Sequence, residues 1–201
     1  MLLENVSSGG NTMLRALCQS VVTPRSFLEN PEGYRIVQYG WLFIIARWLA
    51  NSFIFSFRDY YGFWKPFAPP PFGLNVDTYA FVQKYFSVVF GVGLMVAISV
   101  GLSGYLRMIE KGVPVVDILN ILGITFFLPW VVVQVIDFAV VYTVGWVGIV
   151  VIPVHAGILV WESAAATEVI SGTCNLKLIE KVISTAVIMV IWILLCTVLW
   201  R

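Results

Sequence analysis

Four stretches of the chain, residues 85–106, 118–136, 138–161 and 182–200, contain no Asp, Glu, Lys or Arg. Each approaches the ~20 residues that carry a helix across a bilayer core. A fifth apolar run, from about Ile36 to Phe57, is interrupted by Arg47 alone. The pattern predicts five spans at about 36–57, 82–106, 115–137, 142–162 and 182–200, and so an all-α polytopic membrane bundle. Residues 115–162 are two spans, because 48 nearly uncharged residues are too many for one crossing. Their turn is expected near 137–146, where Asp137 and Tyr142-Thr143-Val144-Gly145 break the run. Pro129 and Pro153 fall inside the third and fourth spans, where membrane helices tolerate proline.

The segments between the runs are polar and punctuated. Residues 1–11 are small and polar and are expected to be mobile. In residues 12–28, Met13, Leu14, Leu17, Val21 and Leu28 stand near helical spacing, with Arg15, Gln19 and Arg25 on the other face. This segment is too short and too charged to span. It is expected either to lie on the lipid headgroups as an interfacial helix or to pack under the spans. The chain thus divides into an N-terminal arm, 1–34, carrying the interfacial helix, and a membrane domain, 35–201. A loop over 58–81 holds KPFAPPPFG, whose prolines forbid a regular helix through 65–73. A tight loop at 107–116 turns at Gly112 and Pro114, and 163–181 reads as a polar connector.

Composition supports the same class. Apolar side chains make up 60% of the 201 residues and charged ones 11%. Soluble domains carry about 25% charged residues. A net charge of +1 gives no field for nucleic acid. Cys18, Cys174 and Cys196 lie in three segments with no C-x-x-C spacing, which suggests neither a disulfide framework nor a metal site. The first thirty residues include Glu4 and no long apolar run, so a signal peptide is not expected and the chain inserts through its own spans. With five spans the N-terminal arm shares a side with the 107–116 and 163–181 segments. That side has seven basic residues (Arg15, Arg25, Arg35, Arg107, Lys111, Lys177, Lys181) against four opposite (Arg58, Lys65, Lys84, Arg201). Basic excess marks the cytoplasmic face, which puts the N-terminus inside and the C-terminus outside a cell membrane.

Few residues carry candidate chemistry. Arg47 costs about 2.5–3.5 kcal/mol at mid-span on insertion scales and needs a partner or solvent. Asp137 and Glu162 are the candidate partners, and depth does not choose between them. The alternative is a polar cavity for a headgroup or ion. His155, the only histidine, lies seven residues before Glu162 on the same helix face. Together Arg47, Asp137, His155 and Glu162 form an expected intramembrane polar cluster, with no metal or cofactor implied. Gly93, Ala97 and Gly101 recur every four residues on the second span. They predict a close helix contact, within the bundle or in self-association. Gly101-Leu-Ser-Gly104 has the G-x-S-G form, and His155 follows 52 residues after Ser103, a spacing similar to that of rhomboid intramembrane proteases. In that family the serine opens a helix, whereas Ser103 closes a span and no oxyanion donor can be named.

Three segments carry a wider resemblance. They are LCQSVVTPRSFLENPE before the first span, GYLRMIEKGVPVVDILNILGITFFLPWVV through the inner turn and third span, and HAGILVWESAAATEVISGTCNLKLIEKVIST across the fourth and fifth. In this order they resemble the Yip family of five-span proteins, particularly its short prokaryotic members, over roughly residues 12–200. The resemblance implies a non-enzymatic organiser or adaptor that binds membrane lipids and other membrane proteins, with no small-molecule substrate. The chain lacks the long N-terminal domain and D-L-Y-G-P motif of eukaryotic members, and with them the implication of Rab binding. A small transporter or lipid-handling protein centred on Arg47 is the second expectation, and a rhomboid-like hydrolase the third.

Overall fold

A computed structural model describes residues 13–24, 27, 35–61, 70–144 and 148–199, which are helical with short connections and no strand. Helix α1 is Met13–Val22. It is followed by α2 (Gly40–Tyr60), α3 (Val76–Met108), α4 (Val115–Thr125), α5 (Phe127–Val144), α6 (Gly148–Cys174) and α7 (Leu178–Leu199). The stretch 1–11 expected to be mobile, Arg25 and Leu28 of the expected interfacial segment, residues 65–69 of the proline run and residues 145 and 146 of the expected turn lie outside the described residues. Among the described residues four helical stretches are long and apolar enough to cross a membrane: Gly40–Tyr60, Val76–Met108, Val115–Ala139 and Leu178–Cys196. The molecule is an all-α membrane bundle.

Helix α3 forms the centre and packs against α2, α4 and α7. Its residues Leu94, Met95, Ile98, Leu102 and Leu106 follow helical spacing and are fully buried, where they meet Ile118, Leu122 and Ile124 of α4 in one core. Side chains such as Phe53, Val89, Val100 and Leu194 point outward, where hydrocarbon solvates them as well as a protein core would. Asn75 starts α3 by accepting the Thr78 N–H at 2.7 Å, which satisfies one of the orphan donors of the first turn.

Three elements depart from expectation. The third span is two helices, α4 and α5, broken at Phe126. Pro129 has no N–H for the Thr125 carbonyl, and its ring crowds that same turn. Asp137 lies inside α5, not in a turn, because side chains from two other helices reach it. The supposed polar connector 163–181 is mostly helix, and only residues 175–177 separate α6 from α7. The stretch ESAAATEVISGTC buries Ala165, Ala166, Val169 and Ile170 on one side, and its small residues admit α4 and α7 closely. Its polar groups are also placed: Lys181 bonds Glu168 at 2.8 Å and Thr185 bonds Thr167 at 3.1 Å.

Helix α1 packs on the bundle through Ala16, Leu17 and Val21. The Trp161 indole N–H donates to the Val21 carbonyl at 3.0 Å, satisfying an acceptor in the last turn of the helix. Met13, Leu14 and Val22 remain exposed on its other side. Of the two arrangements expected for this segment, packing against the spans is the one its buried side makes.

Candidate functional site

Helix α2 buries Gly40, Phe43, Ile44, Arg47 and Trp48, a stripe of two turns that faces α3 and α4. Its first turn is held from another helix, because the Trp41 N–H donates to Asn120 Oδ1 at 3.0 Å. Six residues on, Arg47 Nη1 donates to the Phe126 carbonyl at 2.9 Å. Both bonds join residues 79 apart, so α2 and α4 run parallel in a fixed register. Between the two bonds the helices nearly touch. A Cβ on Gly40 would overlap the backbone of Asn120, and one on Gly123 the backbone carbonyl of Gly40. Only glycine on both sides allows this approach.

The register delivers Arg47 to the break in the third span. Nη1 also lies 3.6 Å from Glu162 Oε2 of α6, and both side chains are buried. Around the guanidinium stand Trp192 at 5.0 Å, Trp48 at 5.5 Å, Phe126 at 5.7 Å and Trp130 at 6.0 Å to the ring centroids. Desolvated cation–π contacts contribute up to about 2 kcal/mol each. Together with a charge-assisted bond to a carbonyl, worth about 1.5–3 kcal/mol, they offset the insertion cost of one arginine. The buried charge is therefore compensated by protein groups from four helices.

A second polar centre lies further along α2. Asp137 Oδ2 is 3.4 Å from His155 Nε2 and 3.9 Å from Arg58 Nη2, and Arg58 also lies over the Phe138 ring. Sequence reasoning placed Arg47, Asp137, His155 and Glu162 in one cluster, and the structure divides them in two. His155 and Glu162 are seven residues apart, about 10 Å along α6, so one cation cannot serve both carboxylates. Arg58, read only as a loop residue, is the last-turn cation of α2. Beside it Lys84 pairs with Asp59, joining α2 to α3.

The other candidates are placed as follows. Ser103 is buried and donates to the Val113 carbonyl at 2.8 Å, whereas His155 stands at Asp137, so the G-x-S-G serine is engaged with the loop after α3. The Gly93–Ala97–Gly101 stripe is split. A Cβ on Gly101 would press on Ile191 of α7, a flexible side-chain end, while Gly93 meets nothing within 4 Å and Ala97 is half-buried. The closest packing comes instead from Gly40 and Gly123, and from Gly91 under the Trp48 ring. Single glycines scattered over three helices leave no periodic signal. Among the described residues no three His, Cys, Asp or Glu are grouped to hold a metal ion.

No protein-family model matches the chain, and neither does any curated protein or solved structure.

Proposed function

We propose that the chain is a non-enzymatic integral membrane protein of Yip type, which organises or adapts lipids and other membrane proteins in the cell membrane, with its N-terminus cytoplasmic. The observation that carries this reading is the burial of Arg47 among groups of the chain itself. The charge faces a carbonyl, a carboxylate and four rings of the chain itself, an arrangement that ties α2, α4, α6 and α7 together. A translocation path would need that charge to meet solvent or a solute. The outward rings of α2 and α3, Phe53, Phe57, Phe81 and Phe86 among them, offer broad, rigid apolar contact to neighbouring helices and acyl chains.

A photoreactive residue at Phe53 or Leu194, introduced in native membranes, tests the reading. Discrete and reproducible protein adducts from one of these faces are the expected result. Adducts to lipid alone, together with solute flux in proteoliposomes that Arg47→Leu abolishes, would turn the assignment to transport.

A further inference from the structure

At the inner end of the bundle, opposite the Asp137 centre, a cavity of about 260 Å³ opens between the start of α2, the 112–114 loop, α4 and the last turn of α6. It is distinct from the Arg47 centre and does not depend on the function proposed for the chain. Its lining includes Gln38, Asp117, Asn120, Thr173 and Cys174. Two negative features converge on it. Asp117, in the first turn of α4, makes no ion pair with any described residue. Thr173 and Cys174 close α6, and last-turn carbonyls lack intrahelical N–H donors and carry the negative end of the helix dipole. Among the described residues, one backbone N–H returns a bond to these carbonyls, that of Asn175 to Ser171 at 2.8 Å.

Among the described residues no basic side chain lines the cavity. Asn120 is nine-tenths buried, and its Oδ1 accepts from Trp41, which leaves its NH2 edge as a donor. Lys111 stands next in the chain to Gly112 of the lining and donates to the Asn175 carbonyl at 3.3 Å. A ligand matching these groups carries a cation for Asp117 and the α6 carbonyls, and an oxygen anion for the NH2 edge of Asn120.

We propose that this cavity binds a primary ammonium group on a small phosphate-bearing headgroup, of the phosphoethanolamine type. A primary ammonium donates up to three hydrogen bonds, which the Asp117 carboxylate and the α6 carbonyls can accept, and a quaternary ammonium donates none. The headgroup is either that of a membrane lipid at the inner leaflet or free in solution.

Cys174 is a native reporter in the wall. In the full chain with Cys18 and Cys196 replaced by serine and alanine, reconstituted in phosphatidylcholine nanodiscs, Cys174 is labelled with 2-aminoethyl and with 2-sulfonatoethyl methanethiosulfonate. Rates are normalised to those of a free thiol. The ammonium reagent should react about threefold to fivefold faster, as one partly exposed ion pair implies. Asp117→Asn should remove the preference and Asp117→Glu should keep it. Phosphatidylethanolamine in the disc should slow labelling if the ligand is a lipid, and free O-phosphoethanolamine should do so if it is soluble. Equal normalised rates, a preference that survives Asp117→Asn, or labelling that neither ligand slows would each overturn the proposal.

Discussion

The guanidinium of Arg47 donates to the carbonyl of Phe126, the residue at which the third span breaks. The carbonyl that Pro129 itself leaves without an N–H is that of Thr125, so Arg47 bonds the residue beside it, at the break between α4 and α5. In hydrocarbon the guanidinium needs such an acceptor, because no water is present to satisfy it.

Replacing Arg47 by leucine should therefore destabilise the bundle by about 3–5 kcal/mol, since Glu162 is left as an unpaired buried charge. Adding Glu162→Gln should recover part of that loss. Adding Asp137→Asn should recover none, because that carboxylate faces Arg58 and His155. Thermal unfolding of the wild type, the three single and the two double variants in mild detergent gives the coupling energies. Rescue by Asp137→Asn instead would mean that the pairing is misassigned.

Gly40→Ala and Gly123→Ala should each cost at least the ~1–3 kcal/mol of ordinary overpacking, because the added methyl meets backbone that cannot rotate away. Gly93→Ala faces open space and should be neutral or stabilising by up to about 1 kcal/mol through helix propensity. The contrast is read in the same unfolding assay. An equal effect at all three positions would remove the case for the α2–α4 contact.

Asn120→Leu deletes the acceptor for the Trp41 N–H and should cost about 0.5–2 kcal/mol, the range for a lost helix cap. Asn120→Asp keeps an oxygen at the positive end of α2 and should retain most of the stability. Hydrogen exchange at Trp41 and Leu42 is the local readout. Faster exchange is expected in the leucine variant alone.

The basic bias predicts orientation. In a chain lacking its native cysteines, Asp77→Cys should react with an impermeant thiol reagent applied to intact cells, and Gly112→Cys should react only after permeabilisation. The reverse pattern would invert the topology.

The sequence by itself determined that the protein crosses a membrane, and roughly where, because each charge-free run must be buried in hydrocarbon whatever its neighbours do. It also showed that Arg47 needed compensation, since the cost of a charge at that depth is local. The partner was a matter for tertiary structure. Asp137 and Glu162 are equivalent by composition, and only the stagger of the packed helices sets Glu162 level with Arg47 and Asp137 level with Arg58, further along α2. The ring cage was equally hidden. Trp48, Trp130 and Trp192 come from three helices, and tryptophan in a membrane protein is as often an interfacial anchor as a core residue. Periodicity found Gly93, Ala97 and Gly101 because they repeat on one helix, yet the contact that sets the register is made by Gly40 and Gly123, one glycine on each of two helices. The polar sequence after Glu162 suggested a loop. It is helix because its small side chains let α4 and α7 approach, and its Glu168 and Thr167 find partners on α7 that only the folded bundle brings near.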